Sequence, residues 1–184
     1  EPLKAASELG LDVIVIDHHL AGPILPNATA VVNPNRLDDE SGFGFLCAAG
    51  VCFITCVALV RALRRLGHTD LPDLLSVLDL VGLATLCDIV PIKSLNRAFI
   101  RQGLVVMRNR RNIGLAALAD VAGLDKAIGE YECGFVLGPR INAAGRMGKS
   151  DVGVKLLIES EHEISVSLAI KLDELNKQRQ FIEQ

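Results

Sequence analysis

The sequence predicts an α/β fold, in which a mainly parallel sheet with flanking helices is followed by a helical subdomain and a connector helix. Residues 12–16 and 28–32 are short, apolar and partly β-branched, as is typical of strands in a parallel sheet. Helical patterns precede the first strand and fill the chain after the second. Half of the 184 residues are hydrophobic but only 4% are aromatic, so the core must be aliphatic.

The first elements follow one another closely. Residues 2–9 have a helix-favouring composition, and Gly10 is a suitable C-terminal cap. The strand at 12–16 follows directly and is expected to be buried on both faces. The strand at 28–32 ends at Asn33-Pro34, because an Asn-Pro pair interrupts regular structure.

Helices predominate after the second strand. The apolar segment 45–66 carries basic residues in its last turn and Gly67 beyond it, which is typical of a helix C-terminus. Residues 71–86 are apolar all round and predict a buried helix. Serine caps, closing glycines and apolar periodicity predict further helices from Ser94 onward and at 112–121, 131–137, 151–158 (capped by Ser150) and 161–184.

Composition narrows the class of protein. The net charge of -3 gives no global sign of nucleic-acid binding, although local patches matter more than totals. Five cysteines are an odd number in a sequence without a secretory signal, which indicates a reducing, cytoplasmic compartment. No uninterrupted apolar run reaches the roughly 20 residues of a membrane span, so we expect no membrane partner.

Three metal-competent side chains follow the first predicted strand. Asp17, His18 and His19 stand at its carboxyl end, where open α/β sheets place their ligands. One carboxylate and two imidazoles form a donor set that suits Mn²⁺, Fe²⁺ or Zn²⁺ better than Ca²⁺. The alternative is an ordinary strand-end loop with exposed histidines, because short motifs often arise by chance.

Asp88 is a further candidate ligand. It follows the predicted buried helix and is flanked by Leu86, Ile89 and Val90. A carboxylate buried among these side chains must be hydrogen-bonded, paired or bound to a metal. A role as a helix cap is the alternative.

Basic residues indicate where phosphates could bind. Arg36 stands on the loop after the second strand and could pair with phosphate, whereas turn chemistry explains Asn33 and Asn35. Residues 93–111 contain six basic side chains and no acidic one, and three recur at helical spacing: Arg97, Arg101 and Arg108. This stripe is either a solvated helix face or a nucleic-acid contact.

The glycine-rich segment 138–148 predicts a loop that breaks the helical pattern. Its small residues would let the backbone approach a ligand, and Arg140, Asn142 and Arg146 offer donors for phosphate oxygens. An anion site is favoured over a plain connector between helices.

Five segments, in this order, resemble the DHH phosphoesterase superfamily. Residues 13–19 (Val-Ile-Val-Ile-Asp-His-His) match its naming motif, and residues 82–91 match its next acidic motif. Three more resemble its branch of single-strand-specific DNA exonucleases: 33–36, 138–148 and 172–183. The resemblance covers essentially the whole chain. It implies a metal-dependent phosphodiesterase that degrades single-stranded DNA from 5′ to 3′ in repair and recombination.

The resemblance also implies roles for individual residues. Two Mn²⁺ or Mg²⁺ ions would be held by His18, by Asp88 and by aspartates of other motifs. Asp17 would be a ligand or would orient an imidazole, and His19 would face the scissile phosphate as charge stabiliser or proton donor. The residues implied to hold the nucleic-acid backbone are Arg140, Asn142 and Arg146. Expected partners are single-stranded DNA, a single-strand-binding protein and a helicase.

Members of the superfamily carry further aspartates upstream, which this sequence does not contain. We therefore expect residues 1–160 to be part of a DHH catalytic domain without its N-terminal motifs, and residues 161–184 to begin a connector between domains. Such a chain is expected to hold half a metal site and to show little nuclease activity alone.

Two other functions fit the sequence. A DHH phosphoesterase could act on short oligonucleotides, cyclic dinucleotides or pyrophosphate, although the basic stripe favours a polymer. A non-catalytic nucleic-acid-binding scaffold could retain the fold. Several costly polar groups at one point argue against a scaffold.

Overall fold

The computed structural model describes residues 2–149 and 151–182. Its elements, in chain order, are α1 (Pro2–Glu8), β1 (Ile14–Ile16), β2 (Ala30–Val32), α2 (Ala48–Arg65), α3 (Leu78–Cys87), α4 (Ser94–Arg108), α5 (Ile113–Val121), α6 (Gly138–Arg146), α7 (Asp151–Ile158) and α8 (His162–Ile182). A 3₁₀ turn (Leu74–Val77) precedes α3, and a π-helical segment (Glu132–Leu137) runs into α6. The predicted cap Ser150 and residues 183–184 of the predicted connector lie outside the described residues.

The two strands pair in parallel, with Ile14 opposite Ala30 and Ile16 opposite Val32. Each strand starts two residues later than predicted, and the α/β class is confirmed. The expectation that β1 is buried on both faces is wrong, because Ile14 and Ile16 are exposed and only Val15 is half-buried. Within the described residues, β1 has a neighbouring strand on one side only.

Helices build the core, which is aliphatic as the composition predicted. Five leucines are among its largest fully buried side chains: Leu115, Leu118, Leu137, Leu156 and Leu172. A smaller cluster packs around Phe99, which meets Phe53 of α2 edge to face at 5.4 Å. Within residues 2–149 and 151–182, no helix is long and apolar enough to cross a membrane.

Two glycines let α3 and α4 pack closely. A Cβ atom at Gly82 would lie 3.2 Å from the Cα of Gly103, and a Cβ atom at Gly103 would collide with the carbonyl oxygen of Leu78. This contact fixes the axis of α3, whose last residue, Cys87, directly precedes Asp88. The position of Asp88 therefore depends on how α3 packs.

The glycine-rich segment predicted as a loop is helix α6. Pro139 lies in its first turn, where a missing N–H is tolerated. Ala143 and Ala144 are buried, and a Cβ atom at Gly138 would collide with the Sγ atom of Cys87. The loop prediction was wrong because these small residues serve helix packing, and the sequence pattern for packing looks the same as that for approach to a ligand.

An ion pair joins α6 to α8. Arg140 Nε donates to Asp173 Oδ1 at 2.9 Å, and Lys177 Nζ lies 2.7 Å from Asp173 Oδ2. Burial raises the pKa of the Asp173 carboxyl, but the hydrogen bonds from Lys177 and Arg140 outweigh burial and leave this pKa below its ordinary value. Helix α8, which begins the predicted connector, is thereby fastened to the helical core. Its role between domains stays a prediction.

Replacing Gly103 with Ala is expected to lower the free energy of unfolding by about 1–3 kcal/mol, because the added methyl must push α3 away from α4. Gly145→Ala is the matched control: Gly145 also lies in a helix, but the space around its Cβ position is open. There Ala should be neutral or stabilise by up to about 1 kcal/mol. Urea denaturation measures both changes, and equal midpoints for the two variants would contradict the close contact.

Asp173→Asn is expected to cost about 1–3 kcal/mol at pH 7, because Arg140 loses its charged partner. The folded-state pKa of Asp173 lies below the ordinary value of 3.8. Its stabilising effect is therefore present above the unfolded-state pKa and is lost as pH falls through the folded-state pKa. Urea denaturation at a series of pH values should show the two proteins converging in acid. A difference that does not change with pH would contradict this assignment; Asp151→Asn, at an exposed pair, is the control.

Candidate active site

Asp17 organises the turn that follows β1. Its N–H donates to the carbonyl oxygen of Val32 at 3.0 Å, so the pairing of the strands continues one residue into the Asp-His-His motif. Its carboxylate accepts the N–H of His18 at 2.8 Å and the Nδ1–H of His19 at 2.7 Å. The side-chain hydrogen bond from His19, aided by the backbone N–H groups, lowers the pKa of Asp17. Asp17 thus holds the His19 ring so that Nε2 is left for a ligand.

His18 and Asp88 converge from distant parts of the chain. The His18 Nε2 atom lies 3.5 Å from Asp88 Oδ2, and the side chains are 17% and 41% exposed. Asp88 stands at the C-cap of α3 and donates its N–H to Ala84. The expectation that Asp88 is buried is wrong, because α3 ends before it and Ile89 turns outward, 92% exposed with φ 54°.

Two asparagines after β2 fix the backbone of the motif. Asn33 Nδ2 donates to the carbonyl oxygen of His19 at 2.8 Å. Asn35 Nδ2 donates to the carbonyl oxygens of His18, at 2.6 Å, and of Gly44, at 3.1 Å. From the sequence, these asparagines were explained by turn chemistry only, and this role was missed. The available signal was their place after the second of two parallel strands, since such strands end at the same edge of a sheet.

A cavity of about 410 Å³ opens beside His18 and Asp88. Asn142 of α6 and the first turn of α2 also line it, and most other lining side chains are apolar. A groove of about 680 Å³ adjoins this cavity, shares Asn142 with it and includes Arg146. Of the four predicted phosphate-binding residues, Asn142 therefore lines the cavity beside the His18–Asp88 pair, and Arg146 lines the adjoining groove.

The other two predicted phosphate-binding residues hold ion pairs. Arg36 binds Asp38 through two nitrogens, at 2.6 and 2.9 Å, and donates to the carbonyl oxygen of Val31 at 2.7 Å. Arg140 is engaged with Asp173 and with the carbonyl oxygen of its own preceding turn. Both side chains stabilise the scaffold around the site in this structure.

The basic residues of segment 93–111 also differ in whether another residue binds them. Arg97 and Arg101 are exposed on α4. Arg108 donates to the carbonyl oxygen of Ile128 at 3.1 Å, and Arg110 pairs with Asp120 at 2.6 Å. A nucleic-acid contact at this helix stays a prediction.

The donors that meet at the site fit a divalent cation. An imidazole nitrogen and a carboxylate oxygen 3.5 Å apart, beside an open cavity, form a set suited to Mn²⁺ and, through the carboxylate, to Mg²⁺. In the part of the chain that the structure describes, no three His, Cys, Asp or Glu side chains gather closely enough to hold a metal ion. The described residues thus supply a pair of donors, with Asp17 adjacent.

Comparisons with known proteins agree with this geometry. Residues 1–85 match the family model described as the N-terminal domain of the DHH family. The chain is 41% identical, over 99% of its length, to the single-stranded-DNA-specific exonuclease RecJ of Escherichia coli K12, and 41% identical, over 96%, to RecJ of Bacillus subtilis. It covers 33% and 21% of those proteins, so it spans a third or less of their length.

Solved structures give the same result. The chain superposes on RecJ of Thermus thermophilus in complex with Mn²⁺ with a TM-score of 0.82 and 34% identity, covering 98% of this chain and 26% of that one. Superposition on an exonuclease RecJ bound to manganese gives a TM-score of 0.83 and 33% identity, covering 98% and 44%. The strand-end motif, the fold around it and these similarities lead to one conclusion: residues 1–85 belong to the DHH family, and the chain as a whole is similar to RecJ exonucleases.

Proposed function

We propose that this chain is part of the catalytic core of a metal-dependent exonuclease that hydrolyses single-stranded DNA from 5′ to 3′ in repair and recombination. The convergence of His18 and Asp88 beside His19 carries the proposal. The similarity to RecJ proteins supports it and favours a polymer over a dinucleotide as substrate. Residues 1–160 belong to the catalytic domain in this proposal, and residues 161–184 begin the connector.

His18 and Asp88 are the proposed ligands of Mn²⁺ or Mg²⁺, and Asp17 is a ligand or the residue that orients His19. Bound ions of this kind supply an activated water and neutralise charge on the phosphate. The RecJ structures similar to this chain are complexes with Mn²⁺ and, in one case, Mg²⁺, which supports this choice.

His19 is the proposed catalytic residue at the scissile phosphate. Asp17 accepts the Nδ1–H of His19 and stabilises positive charge on the ring, so Nε2–H can donate to a phosphate oxygen or to the departing oxygen. Asn142 and Arg146, which line the adjoining groove, hold the nucleic-acid backbone. Arg36 and Arg140 act through the elements that they stabilise.

The remaining assignments follow from this activity. A helicase that separates strands and a protein that coats single strands are the proposed partners. The cytoplasm is the proposed compartment, because all five cysteines are free thiols.

In the full-length protein, Asp88→Asn and His18→Ala are each expected to weaken Mn²⁺ binding by about ten-fold or more, because each removes a donor atom. Titration with Mn²⁺, followed by electron paramagnetic resonance of the free ion, measures the affinity. Asp70→Asn is the matched control, since Asp70 is exposed on the segment before α3. Unchanged affinity in both ligand variants would contradict the metal assignment.

His19→Ala is expected to slow nucleotide release by roughly 10²–10⁴-fold, because it removes the proposed proton donor. The full-length protein with Mn²⁺ is given single-stranded DNA labelled at either end and, separately, a dinucleotide. We expect mononucleotides from the 5′ end, lost in His19→Ala and kept in His68→Ala, a control at an exposed histidine after α2.

Other outcomes of this assay separate the alternatives. Cleavage of the dinucleotide alone would retain phosphoesterase activity but exclude the polymer. Cleavage of neither would indicate a scaffold. The 184-residue chain alone is expected to degrade little DNA, because its described residues bring a pair of metal donors together, and strong Mn²⁺-dependent degradation would overturn that expectation.

A further inference from the structure

A stacked aromatic pair stands exposed near the candidate active site. The rings of Tyr131 and Phe135 lie 5.0 Å apart with an interplanar angle of 26°. Tyr131 is 66% exposed and Phe135 is 71% exposed, although the chain holds only one Tyr and six Phe. A clustered apolar surface of this kind in a soluble fold marks a contact with another molecule or segment.

Both rings line the groove of about 680 Å³ that adjoins the cavity beside His18 and Asp88. Ile89, the residue after Asp88, contributes a third exposed apolar side chain to this groove. Asn142 and Arg146 line it as well, and Asn142 also lines the cavity. The aromatic pair is therefore continuous with the proposed phosphate contacts and the proposed metal ligands.

The local backbone accounts for the stack. Tyr131 and Phe135 are four residues apart, so a helical chain places them on one face. The segment Glu132–Leu137 is π-helical and runs without a break into α6, which carries Asn142 and Arg146. Because one continuous helical stretch bears both sets, the distance between rings and phosphate donors is fixed by the backbone.

We propose that Tyr131 and Phe135 form a stacking platform for the nucleobases of a single strand whose backbone is held by Asn142 and Arg146. This inference rests on the proposed function, because it assigns a part of the same substrate. A single strand presents flat apolar bases beside phosphates, and the groove presents aromatic faces beside amide and guanidinium donors. The bases within a duplex are stacked on each other and leave no face for the rings.

Stacking also suits the proposed reaction. Every base has a π-face, so a stacking site accepts any sequence, which an exonuclease that degrades a whole strand requires. Alanine substitution at such platforms weakens binding of each base by roughly five-fold to a hundred-fold.

The test measures binding of the full-length protein to two labelled strands without metal, which prevents cleavage. One is a short oligothymidylate and the other is an abasic strand of equal length. We expect the double variant Tyr131→Ala/Phe135→Ala to bind oligothymidylate roughly ten-fold more weakly or worse and the abasic strand as before. Tyr131→Phe/Phe135→Trp should keep the preference, and Phe181→Ala, at an exposed ring that lines a different depression, should change neither affinity.

Cross-linking on the unmodified protein makes the test independent of how the variants fold. Irradiation with a strand that contains 5-iododeoxyuridine should attach it to the tryptic peptide 127–140, which contains both rings. If the full-length protein binds and cleaves single strands but the double variant keeps its preference for bases, or if peptide 127–140 stays unlabelled, the platform is overturned while the proposed function stands. Absence of both binding and cleavage in the unmodified protein would overturn both.

Discussion

Parallel pairing of β1 with β2 brings the ends of the two strands to one edge, and the candidate site depends on this. Asp17 extends the pairing through its N–H, while Asn33 and Asn35 donate to the carbonyl oxygens of His19 and His18. The carbonyl oxygens of His18 and His19 accept these hydrogen bonds, and the N–H of Asp17 donates one to β2, so the backbone of the motif has little freedom. The imidazoles of this turn are therefore positioned before any ligand arrives.

Helix packing supplies the second half of the site. Asp88 reaches His18 only because α3 ends at that point, and the glycines that let α3 lie against α4 fix its axis. Gly138 lets α6 approach Cys87, so the helix that carries Asn142 is placed by the same α3 terminus. A small change in the packing of α3 would therefore move a proposed metal ligand, Asp88, and a proposed phosphate-binding residue, Asn142, together. Close-packed interiors transmit such shifts because they hold few voids.

The sequence predicted those features that local chemistry determines. Both strands, the motif at the end of β1 and most helices follow from short-range patterns and fall close to their observed places. The predicted burial of Asp88 and the predicted loop at 138–148 failed for a different reason. Asp88 is exposed because α3 ends before it and the chain turns outward at Ile89. The helix at 138–146 packs against Cys87 of α3, a neighbour that is distant in the chain. Asn35 was undervalued for the same reason, because its partners are His18 and Gly44.

Arginines that look alike in the sequence differ in the folded chain in how they find their partners. Arg36 finds Asp38 two residues away, whereas the partner of Arg140 is Asp173, which only the packing of α6 on α8 brings within 2.9 Å. A guanidinium held by a carboxylate must give up that partner before it can bind a phosphate. The described site thus leaves few cations for a nucleic-acid backbone, in keeping with a net charge of -3. In the proposed function, contact with a single strand depends on bound metal ions, on Asn142 and Arg146, and on exposed aromatic faces rather than on a broad positive surface. A modest overall charge is therefore compatible with the proposed nucleic-acid substrate.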